Sequence, residues 1–185
     1  MPKVGIILGS TRPGRNGEAV ARWVHELAAK RGDAEYQVLD LQDYDLRHLD
    51  EPTPAAAGVY HHDHTKSWSA TVAPLDAFVF VTPEYNHSIP GVLKDAIDFL
   101  YEEWANKAAG FVSYGVDGGV RSVGHLRDIL ATLRVATVQM YVALSVATDF
   151  ENFSDFRPAA AHEERLNTML DQLLEWDAAL QPLRG

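Results

Sequence analysis

Short apolar runs alternate with amphipathic segments along nearly the whole chain. Val4 to Leu8, Tyr36 to Leu39, Ala77 to Val81, Gly110 to Ser113 and Thr137 to Tyr141 have the length and composition of buried strands. Between and after them, Glu18 to Lys30, Thr65 to Ala73, Pro90 to Trp104, Ser122 to Leu133 and Pro158 to Leu180 carry apolar residues at helical spacing. Strand and helix in strict alternation predict an α/β fold with a parallel sheet covered on both faces. The third helix is the clearest: Val92, Leu93, Ala96, Ile97, Leu100, Tyr101 and Trp104 recur at three- and four-residue steps, and Pro90 sits near its start. That stripe is expected to pack on the sheet, with Tyr101 and Trp104 candidates for a subunit contact.

At 185 residues the chain has the length of one domain, spanning 1–185. It contains no repeat, and its one linker-like piece, Glu51 to Gly58, is short enough to be a surface loop. There is no cysteine, which removes disulfides, thiolate nucleophiles and Cys-based metal sites, so redox chemistry requires a bound cofactor. Sixteen basic against 26 acidic residues give a formal net charge of −10, which opposes nonspecific binding to nucleic acid or anionic membrane. The amino-terminal residues lack the pattern of a secretory signal and no apolar run has membrane-span length, so a soluble cytoplasmic protein is expected. His61-His62-Asp63-His64 has metal-binding residue types but no second cluster at ligand spacing, and reads as a solvated helix entry. No metal site is expected.

Directly after the first apolar run comes Gly9-Ser10-Thr11-Arg12-Pro13-Gly14-Arg15-Asn16-Gly17. Gly9 and Gly14 have P-loop spacing, but Arg15-Asn16 replaces the Lys and the magnesium-binding hydroxyl, which argues against nucleoside triphosphate hydrolysis. A dinucleotide fingerprint fits poorly too: Asp40 stands where a ribose-binding acid belongs, yet Thr11 occupies the middle glycine position. A terminal monophosphate suits the loop better. Ser10 and Thr11 offer hydroxyls, Arg12 and Arg15 offer guanidinium donors, and the amides of Arg15, Asn16 and Gly17 open a helix. On the loop alone, a capped turn with two solvated arginines is equally compatible.

In a doubly wound sheet the loops after the first, third and fourth strands converge at the carboxyl edge, where ligands bind. After the third strand stands Thr82-Pro83-Glu84-Tyr85-Asn86-His87-Ser88-Ile89-Pro90-Gly91, and after the fourth Ser113-Tyr114-Gly115-Val116-Asp117-Gly118-Gly119-Val120-Arg121. Gly115, Gly118 and Gly119 allow close approach of backbone to a flat ligand. Together the loops suit a planar ring joined to a phosphate.

These segments, GSTRP, TPEYNHSIPGVLKDAIDFL and SYG followed by GG and Arg121, resemble the NADPH-dependent FMN reductase family from about Val4 to Leu133. The resemblance implies a flavodoxin-like three-layer sandwich with a five-stranded parallel sheet in the order 2-1-3-4-5. In that family the loop commonly reads GSxRxxSxN around the FMN phosphate. Ser10 and Arg12 match, Arg15 stands at the second Ser, Gly17 stands at the Asn, and Asn16 comes one position early. Pro83, Glu84, Tyr85 and Asn86 would border the isoalloxazine, with Ser113, Tyr114, Gly115, Gly118 and Gly119 on its other side.

The implied activity is hydride transfer from NADPH or NADH, through FMN, to a flavin, quinone, azo compound or similar acceptor, in a homodimer or homotetramer. No protein acid or base is needed for hydride transfer, and His87 is only a weak candidate for proton delivery. A flavodoxin-type electron carrier without nicotinamide oxidation is the alternative, and a phosphate-ligand sensor a third reading.

Overall fold

The computed structural model describes residues 1–184. The runs at Val4 to Leu8, Ala77 to Val81 and Gly110 to Ser113 become parallel strands buried on both faces, where continuous rather than alternating hydrophobicity is required. The strands are β1 (Lys3–Leu8), β2 (Glu35–Asp40), β3 (Ala77–Pro83) and β4 (Ala108–Gly115), followed by two short strands, β5 (Ala136–Thr137) and β6 (Val142–Ser145). The sheet order is β2-β1-β3-β4-β5, with β6 also pairing β4, so the expected 2-1-3-4-5 arrangement is present. β3 is buried along its whole length, whereas β2 at the edge is mostly exposed.

Successive side chains divide the core into two layers. Val79 and Val81 face α1 (Gly17–Ala29) and α5 (Ala161–Leu180), meeting Val20, Val24, Leu166 and Leu170. Phe78 and Phe80 face α2 (Asp63–Val72), α3 (Gly91–Asp98) and α4 (Val120–Thr132), meeting Trp68, Leu93, Trp104 and Leu126. No helix among the described residues is long and apolar enough to cross a membrane.

Three expectations are corrected. α3 stops at Asp98 instead of running to Trp104, because the indoles of Trp68 and Trp104 donate to the Ala96 and Ile97 carbonyls and cap its last turn. Trp104 is therefore fully buried, edge-on to Phe78, and is not a subunit contact; Tyr101 is only half-buried. The fifth strand is broken between Thr137 and Val142, where the Met140 amide bonds the Gln172 side chain and the Gln139 carbonyl accepts from Arg127. The 51–58 loop is pinned to the start of α2, with the Glu51 carboxylate accepting from the amides of His61 and His62.

Candidate functional site

β1, β3, β4 and β6 end side by side at the carboxyl edge, with Leu8 opposite Val81, Pro83 opposite Tyr114 and Gly115 opposite Ser145. The loops that leave them enclose a cavity of about 360 Å³ whose walls include Arg12, Asn16, Glu84, Tyr85, Tyr114 and Gly115. A larger, open groove of about 760 Å³ runs along the opposite edge past Asp76, Lys107 and Arg184. Its buried cation, Lys107, already donates to the Val72 and Ala73 carbonyls.

The first loop turns beneath the amino terminus of α1. Gly9 donates its amide to the Val81 carbonyl, and Ser10, almost fully buried, shares a 2.8 Å hydrogen bond with the Tyr85 hydroxyl of the third-strand loop. Gly17 sits so close to the β1 and β4 ends that a Cβ there would lie 2.6 Å from Leu8 Cδ1 and 2.7 Å from the Tyr114 hydroxyl. The first amides of α1 have no intrahelical acceptor and face this space with the positive end of the helix dipole.

The two arginines of the loop do different things. Arg15, whose side chain is only 4% exposed, donates to Ser10 O at 2.6 Å, twice to Glu18 and once to Asp40. Burial alone would lower its pKa, but the bonds to Glu18 and Asp40 raise it. With its charge met by two carboxylates, Arg15 braces the loop. Asp40 is thereby engaged as well and is not a free ribose-binding acid. Arg12 is exposed, and its guanidinium has no protein partner among the described residues. Asn16 directs its amide to the Phe153 carbonyl, 2.8 Å away, and Thr11 is half-buried beside them.

In the second loop, Tyr85 and Ser88 exchange backbone hydrogen bonds across Asn86 and His87, both with positive φ. This tight hairpin projects Asn86 and His87 into solvent, and His87 does not line the cavity. Glu84 is bonded by the Arg121 amide and guanidinium at 3.0 and 2.8 Å. Desolvation pushes its pKa up, but the Arg121 bonds outweigh that and hold it below the usual carboxylate range.

In the third loop, Gly118 and Gly119 both have positive φ, and a Cβ on Gly119 would lie 2.9 Å from the Tyr114 amide. The Ser113 hydroxyl is buried against the Gly118 carbonyl, so it holds the turn and is not presented to the cavity. The Tyr114 hydroxyl is different. It is buried without a well-aligned hydrogen-bond partner, and burial raises its pKa, while the close Gly17 amide and Ser10 hydroxyl pull it partly back down.

The sequence matches the family described as NADPH-dependent FMN reductase over residues 2–149. The chain belongs to this family. It is 38% identical over 150 residues to an NAD(P)H-dependent FMN reductase of Schizosaccharomyces pombe, covering 80% of this chain and 75% of that one. A quinone reductase of Escherichia coli is 34% identical over 140 residues, 71% of this chain and 70% of its own. Among solved structures, a flavoenzyme NAD(P)H:(acceptor) oxidoreductase from Paracoccus denitrificans superimposes with a TM-score of 0.73 at 21% identity, covering 95% of this chain and 98% of that one.

For a member of the FMN reductase family, the donor set fits a flavin mononucleotide. An orphaned hydroxyl, a helix amino terminus without space for a side chain at Gly17, and the unpaired Arg12 suit a phosphate. The backbone of Pro83 to Tyr85 and of Gly115 suits the edge of a ring. Of the expected residues, Arg12, Arg15, Asn16, Pro83, Glu84, Tyr85, Tyr114 and Gly115 line the cavity, whereas Ser10, Gly17, Ser113, Gly118 and Gly119 lie behind its wall. Gly14, Val116, Val146, Ser154 and Phe153 complete the wall without having been anticipated. The only signal for the last was Asn152-Phe153 between Phe150 and Phe156, a hairpin turn without the usual glycine.

Proposed function

We propose that the chain, acting as one FMN-binding unit, oxidises NADPH or NADH and reduces a small acceptor of the flavin, quinone or azo class. The observation that carries this reading is the buried, unpartnered Tyr114 hydroxyl beneath the α1 amino terminus. A buried hydroxyl without a partner is unfavourable, and a ligand phosphate oxygen would satisfy it. When bound, FMN supplies the two-electron chemistry at its ring.

The residues of the chain bind and orient. Arg12 supplies positive charge to the phosphate, while Arg15, held by Glu18 and Asp40, keeps the loop in shape around it. The Glu84–Arg121 pair ties the second loop to the start of α4, and Ser122 reinforces it with one hydroxyl hydrogen shared between the Pro83 and Ser88 carbonyls. This fixes the Pro83 to Tyr85 backbone against the Gly115 turn, so that a ring between them has a defined face towards the reductant. With Glu84 and Arg15 engaged in ion pairs and His87 in solvent, proton exchange is left to water.

The quinone reductase and FMN reductase relatives support a small-molecule acceptor. The family resemblance also supports a homodimer or homotetramer, and we assign the protein to the cytoplasm. The purified protein is expected to be yellow or to be stabilised by FMN, and to bleach rapidly when NADPH or NADH is added without oxygen. A yellow protein inert to both nucleotides would support an electron carrier. A colourless one that FMN does not stabilise would defeat both flavin readings.

A further inference from the structure

One wall of the cavity lies beyond residue 149, the last that the family match covers. After β6 the chain forms a two-stranded hairpin, β7 (Phe150–Glu151) and β8 (Asp155–Phe156). Its base is fixed. Phe150 is buried 6.2 Å from the Tyr114 ring, and Phe156 meets Trp23 of α1 edge-on at 5.7 Å. The buried Asp149 carboxylate accepts from the Ser145 and Ala159 amides and pairs with His162.

The tip is built differently. Ser154 bonds back to Glu151 across Asn152 and Phe153, whose φ values are 53° and 61°. Asn tolerates this left-handed backbone, but a bulky aromatic residue rarely adopts it. Phe153 does so while 71% exposed, so no packing within the chain offsets the strain, and it stands on the wall of the cofactor cavity. Strained residues of this kind cluster at active sites and ligand clamps. The tip is also latched to the phosphate loop, because Asn16 Nδ2 donates to the Phe153 carbonyl at 2.8 Å. Asn16 is the residue that sits one position early relative to the family loop.

We infer that this hairpin is a clasp for the flavin nucleotide: Phe153 covers the bound cofactor, Asn16 holds the tip against the phosphate loop, and together they set how slowly FMN leaves. The inference rests on the FMN reading. It makes Phe153 a cofactor-contact residue and gives the displaced Asn16 a use other than direct phosphate binding.

The test follows release of FMN from the loaded full-length protein after dilution, separating free from bound flavin at intervals, together with the melting temperature of the cofactor-free protein. Phe153→Gly is expected to release FMN at least tenfold faster and to melt about 2–4 °C higher without cofactor, because glycine relieves the left-handed strain. Phe153→Tyr should keep slow release, and Asn16→Ala should speed it. If wild type holds FMN and Phe153→Gly releases it at the same rate, the clasp is overturned while the FMN reading stands. A Phe153→Gly protein that melts lower without cofactor also overturns it, since Phe153 is then a packing residue. A wild-type chain that takes up no FMN overturns the FMN reading and the clasp with it.

Discussion

Replacing Tyr114 by Phe removes one oxygen atom from the floor of the cavity, and its effects on the free and loaded protein should have opposite signs. In the cofactor-free chain that hydroxyl is buried and unpartnered. Burial of such a group costs about 1–3 kcal/mol, so Tyr114→Phe should stabilise the free protein, by about 2–4 °C in melting temperature for each kcal/mol. In the loaded protein the same hydroxyl would donate to a phosphate oxygen, a charge-assisted bond worth about 1.5–3 kcal/mol. Because the two effects add in the binding cycle, its loss should raise the Kd for FMN at least about 70-fold and leave riboflavin, which lacks the phosphate, within about twofold. Thermal melting without ligand and fluorescence titration with both flavins measure the two effects separately. Equal weakening of FMN and riboflavin would show that the hydroxyl does not read phosphate. A lower melting temperature of the free variant would show that its hydroxyl is already satisfied.

Arg12→Ala should weaken FMN about tenfold and spare riboflavin, and the difference should shrink as salt is raised, since this guanidinium is exposed. Arg15→Met breaks a buried ion pair and leaves Asp40 without its cation, so a stability loss of about 2–4 kcal/mol is expected in denaturant titrations, with both flavins weakened alike. A selective loss of FMN there would mean that Arg15 contacts phosphate after all. At the opposite edge, burial and then the nearby Arg184 charge lower the Lys107 pKa from 10.5 to about 8. The unfolded chain therefore binds more protons than the folded one between those values, and stability rises with pH through this window, by on the order of 3 kcal/mol at most. Lys107→Met should flatten the rise between pH 8 and 9.5, and an unchanged slope would assign it to other groups.

The elements that could be read in the chain are those whose burial is continuous. β3 and β4 lie in the middle of a parallel sheet, where both faces select apolar residues, so the run itself marks the strand. The same logic misleads at α3. Leu100 and Trp104 keep the helical apolar spacing because they are buried, yet they are buried in turns that follow a helix capped by two indoles. Periodicity reports burial, and one of the two indoles that end the helix, Trp68, is far away in the chain. The gap between β5 and β6 is likewise held by Gln172 and Arg127, residues that no local window contains.

The site divides along the same line. Its glycines are legible locally, because a helix start packed on Leu8 and Tyr114 and a turn packed on the Tyr114 backbone leave no space for larger side chains. The roles of charged residues are not, since a guanidinium acts on whatever carboxylate the fold brings to it. Arg12 and Arg15 look equivalent in GSTRPGRNG, but the parallel register sets Leu8 opposite Asp40, which places a carboxylate beside the loop and claims Arg15. A usable signal exists in that pairing: an acid that ends the strand next to β1 is positioned to neutralise one arginine of the loop. Applied to this chain, the rule leaves Arg12 as the cation available to a ligand and makes Asp40 part of the phosphate loop's scaffold, so Asp40→Asn should loosen Arg15 and the loop without adding any group for the phosphate to meet.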